Sequence, residues 1–295
     1  MCPKLRGLLS LLFMSSLFAS AQSIPNIEYG EAGGVSLRLD AHLPEGPGPF
    51  PAAIIVHGGG WVAGDRVRNV QPLFQPLEKA GFAWFSISYR LVNDAPGLGS
   101  LLLMGHAVDD VRTAVKFVKE HALDYRIDPN RVVLIGESAG AQLATMAALK
   151  PGIAGPVKAV VAFYSPSDLS KLADQSPQIP DSVRKSLKDS PWAQMIMTGL
   201  LEMSPVNFVR QDMPPLLLIH GTSDSLVPYS QSQEMCARAR EAGATCDLFP
   251  VRGGGHGLRN WEPRLTSYKP YMIHWLERQV ALQASRTEFR PAAHS

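Results

Sequence analysis

Neither sign of charge is in surplus: the 295-residue chain carries 28 Lys and Arg against 26 Asp and Glu. Taking away Lys4 and Arg6, which lie in an N-terminal apolar segment, leaves 26 against 26. A balanced chain offers no basic field, so neither nucleic acid nor an anionic membrane is expected as a partner. Cysteine is scarce, with three residues in all. No Cys-x-x-Cys or His-Glu-x-x-His spacing occurs, so no metal and no organic cofactor is implied. Beyond the N-terminal segment there is no apolar run near the ~20 residues that cross a bilayer. Internal repeats are missing too, and the one low-complexity stretch before the C-terminal tail is PEGPGPF. What remains is the composition of a folded chain, 45% hydrophobic and 18% charged, with ample apolar surface for a core.

The N-terminal segment, MCPKLRGLLSLLFMSSLFASA, sets Lys4 and Arg6 before an apolar run and closes on Ala19, Ser20 and Ala21. Small-x-small after such a run is what signal peptidase cuts. This predicts a cleaved export signal over 1–21, a mature chain from Gln22, and a secreted or periplasmic protein without a membrane anchor. An uncleaved anchor is the alternative, but the run is short for a span. Cys2 precedes the run, which argues against a lipoprotein signal. Cys236 and Cys246 then remain, one on a predicted helix and one opening the next strand. In an oxidising compartment they can bond and close the short loop between them; otherwise they stay as two free, buried thiols.

Residues 35–44 alternate apolar and polar side chains, as a half-exposed antiparallel strand does. Residues 51–57, 82–89, 131–135, 157–164, 215–220 and 245–251 are mostly apolar runs separated by helix-like segments. They predict strands buried on both faces, in a mostly parallel α/β sheet of about eight strands with helices on both sides. The domain is expected over 22–280, with an irregular tail over 281–295. A helix over 106–122 puts Val108, Val111, Val115 and Val118 on one stripe, and one over 229–243 ends at Gly243. One long connection, 169–210, interrupts the rhythm. Inside it Ser190 and Pro191 open a predicted helix with Trp192, Met195, Ile196, Leu200 and Met203 along an apolar face. Either this helix is a small lid over the site, or it packs peripherally on the main core.

The motif GESAG, 136–140, follows the strand run RVVLI and precedes the helix formers AQLATMAALK, so Ser138 falls at a strand-to-helix turn. A serine there adopts a strained backbone, and side chains two places away would collide with it, which accounts for the flanking glycines. That is the pattern of a nucleophile elbow; alone, it also fits a Gly-bounded helix start capped by Ser138. Of eight histidines, His256 stands in GGGHG just after the last predicted strand, at the sheet edge where α/β proteins build sites. A Gly-flanked histidine is also a common loop residue. Asp224 follows the run ending at His220 and supplies the acid; Asp168 is the rival, read as a helix cap. HGGGW, 57–61, follows the first buried strand, and its bare backbone lets N–H groups approach a substrate oxygen. Gly58, Gly59 and the N–H of Ala139 are the expected oxyanion donors. A phosphate loop would need Gly-Lys-Ser/Thr, which does not follow.

In combination HGGGW, GESAG, HGTSDSLVP and GGGHG resemble the α/β-hydrolase superfamily, whose chain order of Ser, Asp and His is the order here. HGGGWVAGD, SYRL, GESAGAQLA and the Asp-x-x-Val-Pro of Asp224 to Pro228 are similar to the bifunctional feruloyl and acetylxylan esterases, neighbours of the hormone-sensitive-lipase-like carboxylesterases. The similarity runs over about 27–280. It implies Ser138 as nucleophile, His256 as base and Asp224 as the acid that orients it. It also implies buried polar pairs involving Asp65, Arg90 and Asp110. Where these esterases often carry Phe-Pro-Ala, this chain has VNDAPGLGSLLLMGHA. Leu98, Leu101, Leu103 and Met104, with Trp61, Trp192 and Met195, could line a greasier pocket.

The expectation is a serine carboxylesterase acting on short-acyl or plant-polysaccharide (acetyl or feruloyl) esters through an acyl-enzyme. An amidase such as an arylformamidase can use the same residues. A hydrolase-fold protein that binds without turnover is the rival of another class; an intact Ser-Asp-His set weighs against it.

Overall fold

The strand Phe50–Val56 sends Ala52, Ile54 and Val56 into one buried cluster and Ala53 and Ile55 into another. Successive side chains point to opposite faces, so such a strand is stable only where both faces are covered. The computed structural model describes residues 20–91, 99–150, 155–175 and 181–287. In chain order the strands are β1 (Gln22–Ala32), β2 (Val35–Leu43), β3 (Phe50–Val56), β4 (Ala83–Ile87), β5 (Ile127–Glu137), β6 (Val160–Phe163), β7 (Leu216–Gly221) and β8 (Cys246–Val251). The helices are α1 (Gln71–Lys79), α2 (Gly99–Glu120), α3 (Ala139–Leu149), α4 (Leu169–Gln175), α5 (Asp181–Asp189), α6 (Ala193–Glu202), α7 (Ser230–Glu241), α8 (Leu258–Trp261) and α9 (Tyr268–Thr287).

The strands form one eight-stranded sheet in the order β1-β2-β4-β3-β5-β6-β7-β8. β1 and β2 pair antiparallel, as do β2 and β4; every pairing from β4 onward is parallel. β3 sits inside, with Ile54 opposite Phe85 on one side and Leu134 on the other. α2, α3 and α7 cover one face through Val108, Val111, Leu143, Ala144 and Met235. α1 and α9 cover the other through Leu73, Leu77, Met272, Trp275 and Leu276. Trp275 is fully buried, and its indole N–H finds the Asp247 carboxylate at 2.7 Å, which removes the penalty of burying that donor. This is the mostly parallel, helix-flanked sheet expected of the chain.

Four features depart from the expectation. β1 gave no sequence signal, because an edge strand holding Pro25 and mostly exposed side chains has no alternation to read, and its register slips between Ile24 and Ile27. α9 runs to Thr287 through the first part of the expected irregular tail; Ala, Leu, Gln and Arg there are good helix formers with no Gly or Pro among them. Among its described residues the connection 169–210 holds three α-helices, α4 to α6, and a 3-10 turn over Pro205–Phe208, rather than one helix. α6 begins at Ala193, two residues past the expected start, although the Ser190 hydroxyl does accept the Trp192 N–H at 3.2 Å. Cys236 on α7 and Cys246 at the start of β8 are joined as a disulfide, their Cα atoms 5.5 Å apart. The expected export signal up to residue 19, Leu98, the side chains of Leu101 and Leu103, and the last eight tail residues, 288–295, lie outside the described residues. No helix among the described residues is long and apolar enough to cross a membrane.

Candidate active site

β5 ends, α3 begins, and Ser138 is the single residue between them, at φ 53° and ψ −123°. A positive φ in a residue with a side chain stores strain of about 1–3 kcal/mol. Its neighbours hold it there: a methyl on Gly136 would run into the Gly140 carbonyl, and one on Gly140 into the carbonyls of Val56 and His57. Two glycines are therefore needed because three stretches of backbone pass at contact distance. The Ser138 N–H donates to the Phe163 carbonyl at 2.9 Å, which ties the turn to the end of β6.

Two loops at the same sheet edge complete a line of polar groups. Asp224, after β7, is buried; its Oδ1 accepts the N–H groups of Leu226 and Val227, both at 2.9 Å. His256, after β8, places Nδ1 at 2.7 Å from Asp224 Oδ2 and Nε2 at 2.9 Å from Ser138 Oγ. A carboxylate only accepts, so Nδ1 carries the proton and Nε2 is the free base facing the hydroxyl. Burial alone would raise the Asp224 carboxyl, but hydrogen bonds from His220 and His256 hold it well below the usual carboxylate range. His220, read only as a strand end, is a second imidazole on this acid. Its Nε2 donates to the Val227 carbonyl at 2.9 Å and lies 3.4 Å from Asp224 Oδ2, while Nδ1 faces the Ser232 hydroxyl at 2.7 Å. Asp168, the rival acid, accepts from the Ser170 hydroxyl and the Lys171 N–H at the start of α4, as a cap does.

The glycine loop after β3 requires one correction. The Gly58 N–H is already donated to Glu137 Oε1 at 2.6 Å, so it is not a donor for a substrate oxygen. The Gly59 N–H has no acceptor among the described residues, and the Ala139 N–H, at the first position of α3, has no intrahelical one. These two remain as the open pair. The motif leaves position 137 free and the Gly58 partner lies 79 residues away, so local spacing carries no signal for Glu137.

Of the expected pocket residues, Trp61 donates its indole N–H to Gln142 at 3.0 Å, and Gln142 donates to the Met203 carbonyl just beyond α6 at 2.7 Å. Gln142 thus clips the insertion to the glycine loop. Met104 is buried in the core cluster, which makes it packing rather than an open pocket wall. Trp192 and Met195 are 57% and 48% exposed, and α6 has no buried residue. Partly exposed Arg90 grips the buried Asp110 carboxylate in a bidentate pair closing to 2.6 Å. Asp65 instead caps the turn of Val67 and Arg68. Burial lowers the pKa of His57, which stacks on Tyr89 away from the line.

A cavity of about 390 Å³ opens beside Glu137, lined by Asn69, Gly257, Leu258, Arg259 and Asn260. Another of about 630 Å³, lined in part by Lys158, Arg210 and Pro215 at the amino ends of the strands, contains none of the motif residues. Among the described residues no group of three His, Cys, Asp or Glu is placed to hold a metal ion.

Hydroxyl, imidazole and carboxylate in hydrogen-bonded sequence, beside two unused backbone donors, can move a proton off the hydroxyl and hold a developing oxyanion. Residues 39–238 match the BD-FAE family, a span of more than half the chain that includes GESAG and Asp224. The chain belongs to the BD-FAE family. That family is bifunctional feruloyl/acetylxylan esterase-like, within the α/β-hydrolase superfamily. Among curated proteins, the chain is 30% identical over 254 residues to the probable carboxylic ester hydrolase LipM of Mycobacterium tuberculosis, covering 81% of this chain and 56% of that one. It is 27% identical to a probable isoprenylcysteine alpha-carbonyl methylesterase, ICME, of Oryza sativa subsp. japonica, over 81% of this chain and 59% of that one. This BD-FAE chain therefore spans little more than half the length of such relatives. Among solved structures it is similar to a truncated carbohydrate esterase from gut microbiota, at 26% identity and a TM-score of 0.70, covering 90% and 97% of the two chains. The propionate-bound esterase Est2 of Thermogutta terrifontis, at 21% identity, TM-score 0.68 and coverage of 87% and 93%, shares the fold.

Proposed function

We propose that the protein is an exported serine carboxylesterase that hydrolyses short-acyl esters or the acetyl and feruloyl esters of plant polysaccharides. The observation that carries this is the unbroken line from Ser138 Oγ to His256 to Asp224, at 2.9 and 2.7 Å. In this reading Ser138 attacks the ester carbonyl as His256 Nε2 takes its proton. The buried Asp224 carboxylate, kept ionised by its hydrogen bonds, holds the imidazole and stabilises its cation. The N–H groups of Gly59 and Ala139 receive the oxyanion, His256 returns the proton to the leaving alcohol, and water then releases the acid from the acyl-enzyme. Family membership and the esterase names of the relatives support an ester as the substrate; the carbohydrate esterase supports an acylated sugar. The N-terminal segment and the disulfide support export.

The test is hydrolysis of p-nitrophenyl acetate, butyrate and octanoate by the mature chain beside Ser138→Ala, with folding checked by circular dichroism. Turnover confined to the unsubstituted protein and falling with acyl length is expected, followed by release of acetate or ferulate from xylan. An equally active alanine variant would remove Ser138 from the mechanism. Silence on esters with turnover of N-formyl anilides would move the protein to the amidases.

A further inference from the structure

The steps above leave unused a buried carboxylate next to the nucleophile. Glu137, at the end of β5, is 5% exposed, and both its oxygens are engaged. Oε1 accepts the Gly58 N–H at 2.6 Å and the Asn69 amide at 3.4 Å; Oε2 accepts the Tyr164 hydroxyl at 2.9 Å. The Tyr164 oxygen in turn accepts the N–H of Leu258, two residues past His256, at 2.9 Å. The tyrosine ring stands edge-on to the His256 imidazole with centroids 4.5 Å apart. A buried acid is costly unless it is fully hydrogen-bonded, and here the bonds lead to the backbone on both sides of the serine. The approach at Gly58 is close enough that a Cβ there would lie 2.6 Å from Glu137 Oε1.

We propose that Glu137 is a positioning residue for ester hydrolysis: its carboxylate spans from the oxyanion loop, through Gly58, to the His256 loop, through Tyr164 and Leu258. The proposal rests on the serine-esterase reading and deepens it. Glu137 touches no substrate. It holds the Gly59 N–H and the imidazole in register with Ser138, to which it is joined by a peptide bond. Charge on the substrate oxygen develops only in the transition state, so loosening this brace lowers kcat and leaves KM nearly alone. Glu137→Gln keeps an acceptor for Gly58 but takes the acceptor from the Tyr164 hydroxyl. Tyr164→Phe cuts that same arm and also takes the acceptor from the Leu258 N–H.

The experiment measures kcat and KM on p-nitrophenyl acetate, and the rate at which a fluorophosphonate labels Ser138. It compares the unsubstituted protein with Glu137→Gln, Glu137→Ala, Tyr164→Phe and the Glu137→Gln, Tyr164→Phe double variant, each with a thermal melt. The expected result is kcat per labelled site down about 10-fold in the Gln variant and about 100-fold in the Ala variant, with KM within about twofold. The double variant should lose clearly less than the product of the two single losses, because both substitutions cut the Glu137–Tyr164 bond. If Glu137→Ala does not fold, Gln and Phe carry the comparison. A lowered melt with kcat per labelled site unchanged makes Glu137 merely structural and overturns the proposal, as does full additivity in the double variant. If the unsubstituted protein neither turns over the ester nor takes the label, the serine-esterase reading falls and takes the proposal with it. If it does both and Glu137→Gln matches it, the proposal alone falls.

Discussion

At the carboxyl edge of the sheet, Ser138, Asp224 and His256 are held by backbone passing backbone: Gly140 against Val56 and His57, Gly221 against Gly254, and the Ser138 N–H on Phe163. The insertion of α4 to α6 is held otherwise. α6 buries none of its residues and Trp192 is more than half exposed, but Leu169 at the start of α4 and Met203 just past α6 are buried in the core cluster, Lys171 pairs with Glu234 of α7 at 2.8 Å, and Gln142 holds the Met203 carbonyl. The first region has interlocking backbone contacts and little freedom to repack; the second is anchored in the core at Leu169 and Met203 and leaves much of α6 exposed. Substitutions on the exposed face of α6 are therefore expected to leave the glycine contacts beneath unchanged.

The comparison breaks most sharply at Ser138. Ser138→Ala should lower ester turnover by about 10⁴-fold to 10⁶-fold with an unchanged circular dichroism spectrum, since the hydroxyl and not the turn is lost. Gly140→Ala should show the reverse order of effects. A methyl between the His57 and Val56 carbonyls should cost about 4 kcal/mol or more in a urea melt, with activity lost through unfolding. Cys246→Ser, which opens the ten-residue link between α7 and β8, should cost about 2–3 kcal/mol by the same measurement. At the small end, Trp192→Ala and Met195→Ala should each move stability by about 0.5 kcal/mol or less. If α6 forms a wall of the acyl site, they should still change the ratio of octanoate to acetate turnover. A large melt shift there would mean that α6 belongs to the core after all.

The acids at the edge sharpen the contrast through pH. Asp224 has its folded pKa depressed, so its contribution to stability is present above the unfolded value near 4 and is lost as pH falls through the folded value. Asp224→Asn should flatten the acid side of the stability profile. Glu137 is the opposite case: burial, the largest cause, outweighs the Gly58 and Tyr164 hydrogen bonds and raises its pKa. Stability then falls as pH rises from the unfolded value, near 4.3, through the raised folded one, so Glu137→Gln should gain on the unsubstituted protein across that window. Thermal melts of the three proteins from pH 3 upward, on the order of one reading per half unit, check both signs.

Much of the site was legible because each part is local. GESAG, HGGGW, Asp224 and His256 each follow an apolar run that reads as a strand, and a run that ends at a sheet's carboxyl edge delivers its next residues to one place. The same locality explains the misses. β1 is exposed and carries no alternation, α9 continues where composition merely loses its apolar stripe, and the Gly58 N–H looks as free as that of Gly59 until Glu137 is seen beneath it. Nothing in the spacing tells that Gln142 joins Trp61 to Met203, or that His220 stands on Asp224.

The sequence by itself determined the class of sheet, the order of serine, acid and histidine, and the need for glycine around Ser138, since burial patterns and backbone sterics act over a few residues. Only the tertiary structure decided which N–H groups remain open, which carboxylate braces the site, and how far α6 stands in solvent. Those depend on hydrogen-bond partners far apart in the chain, and such partners are chosen by the packing of whole elements rather than by any local preference.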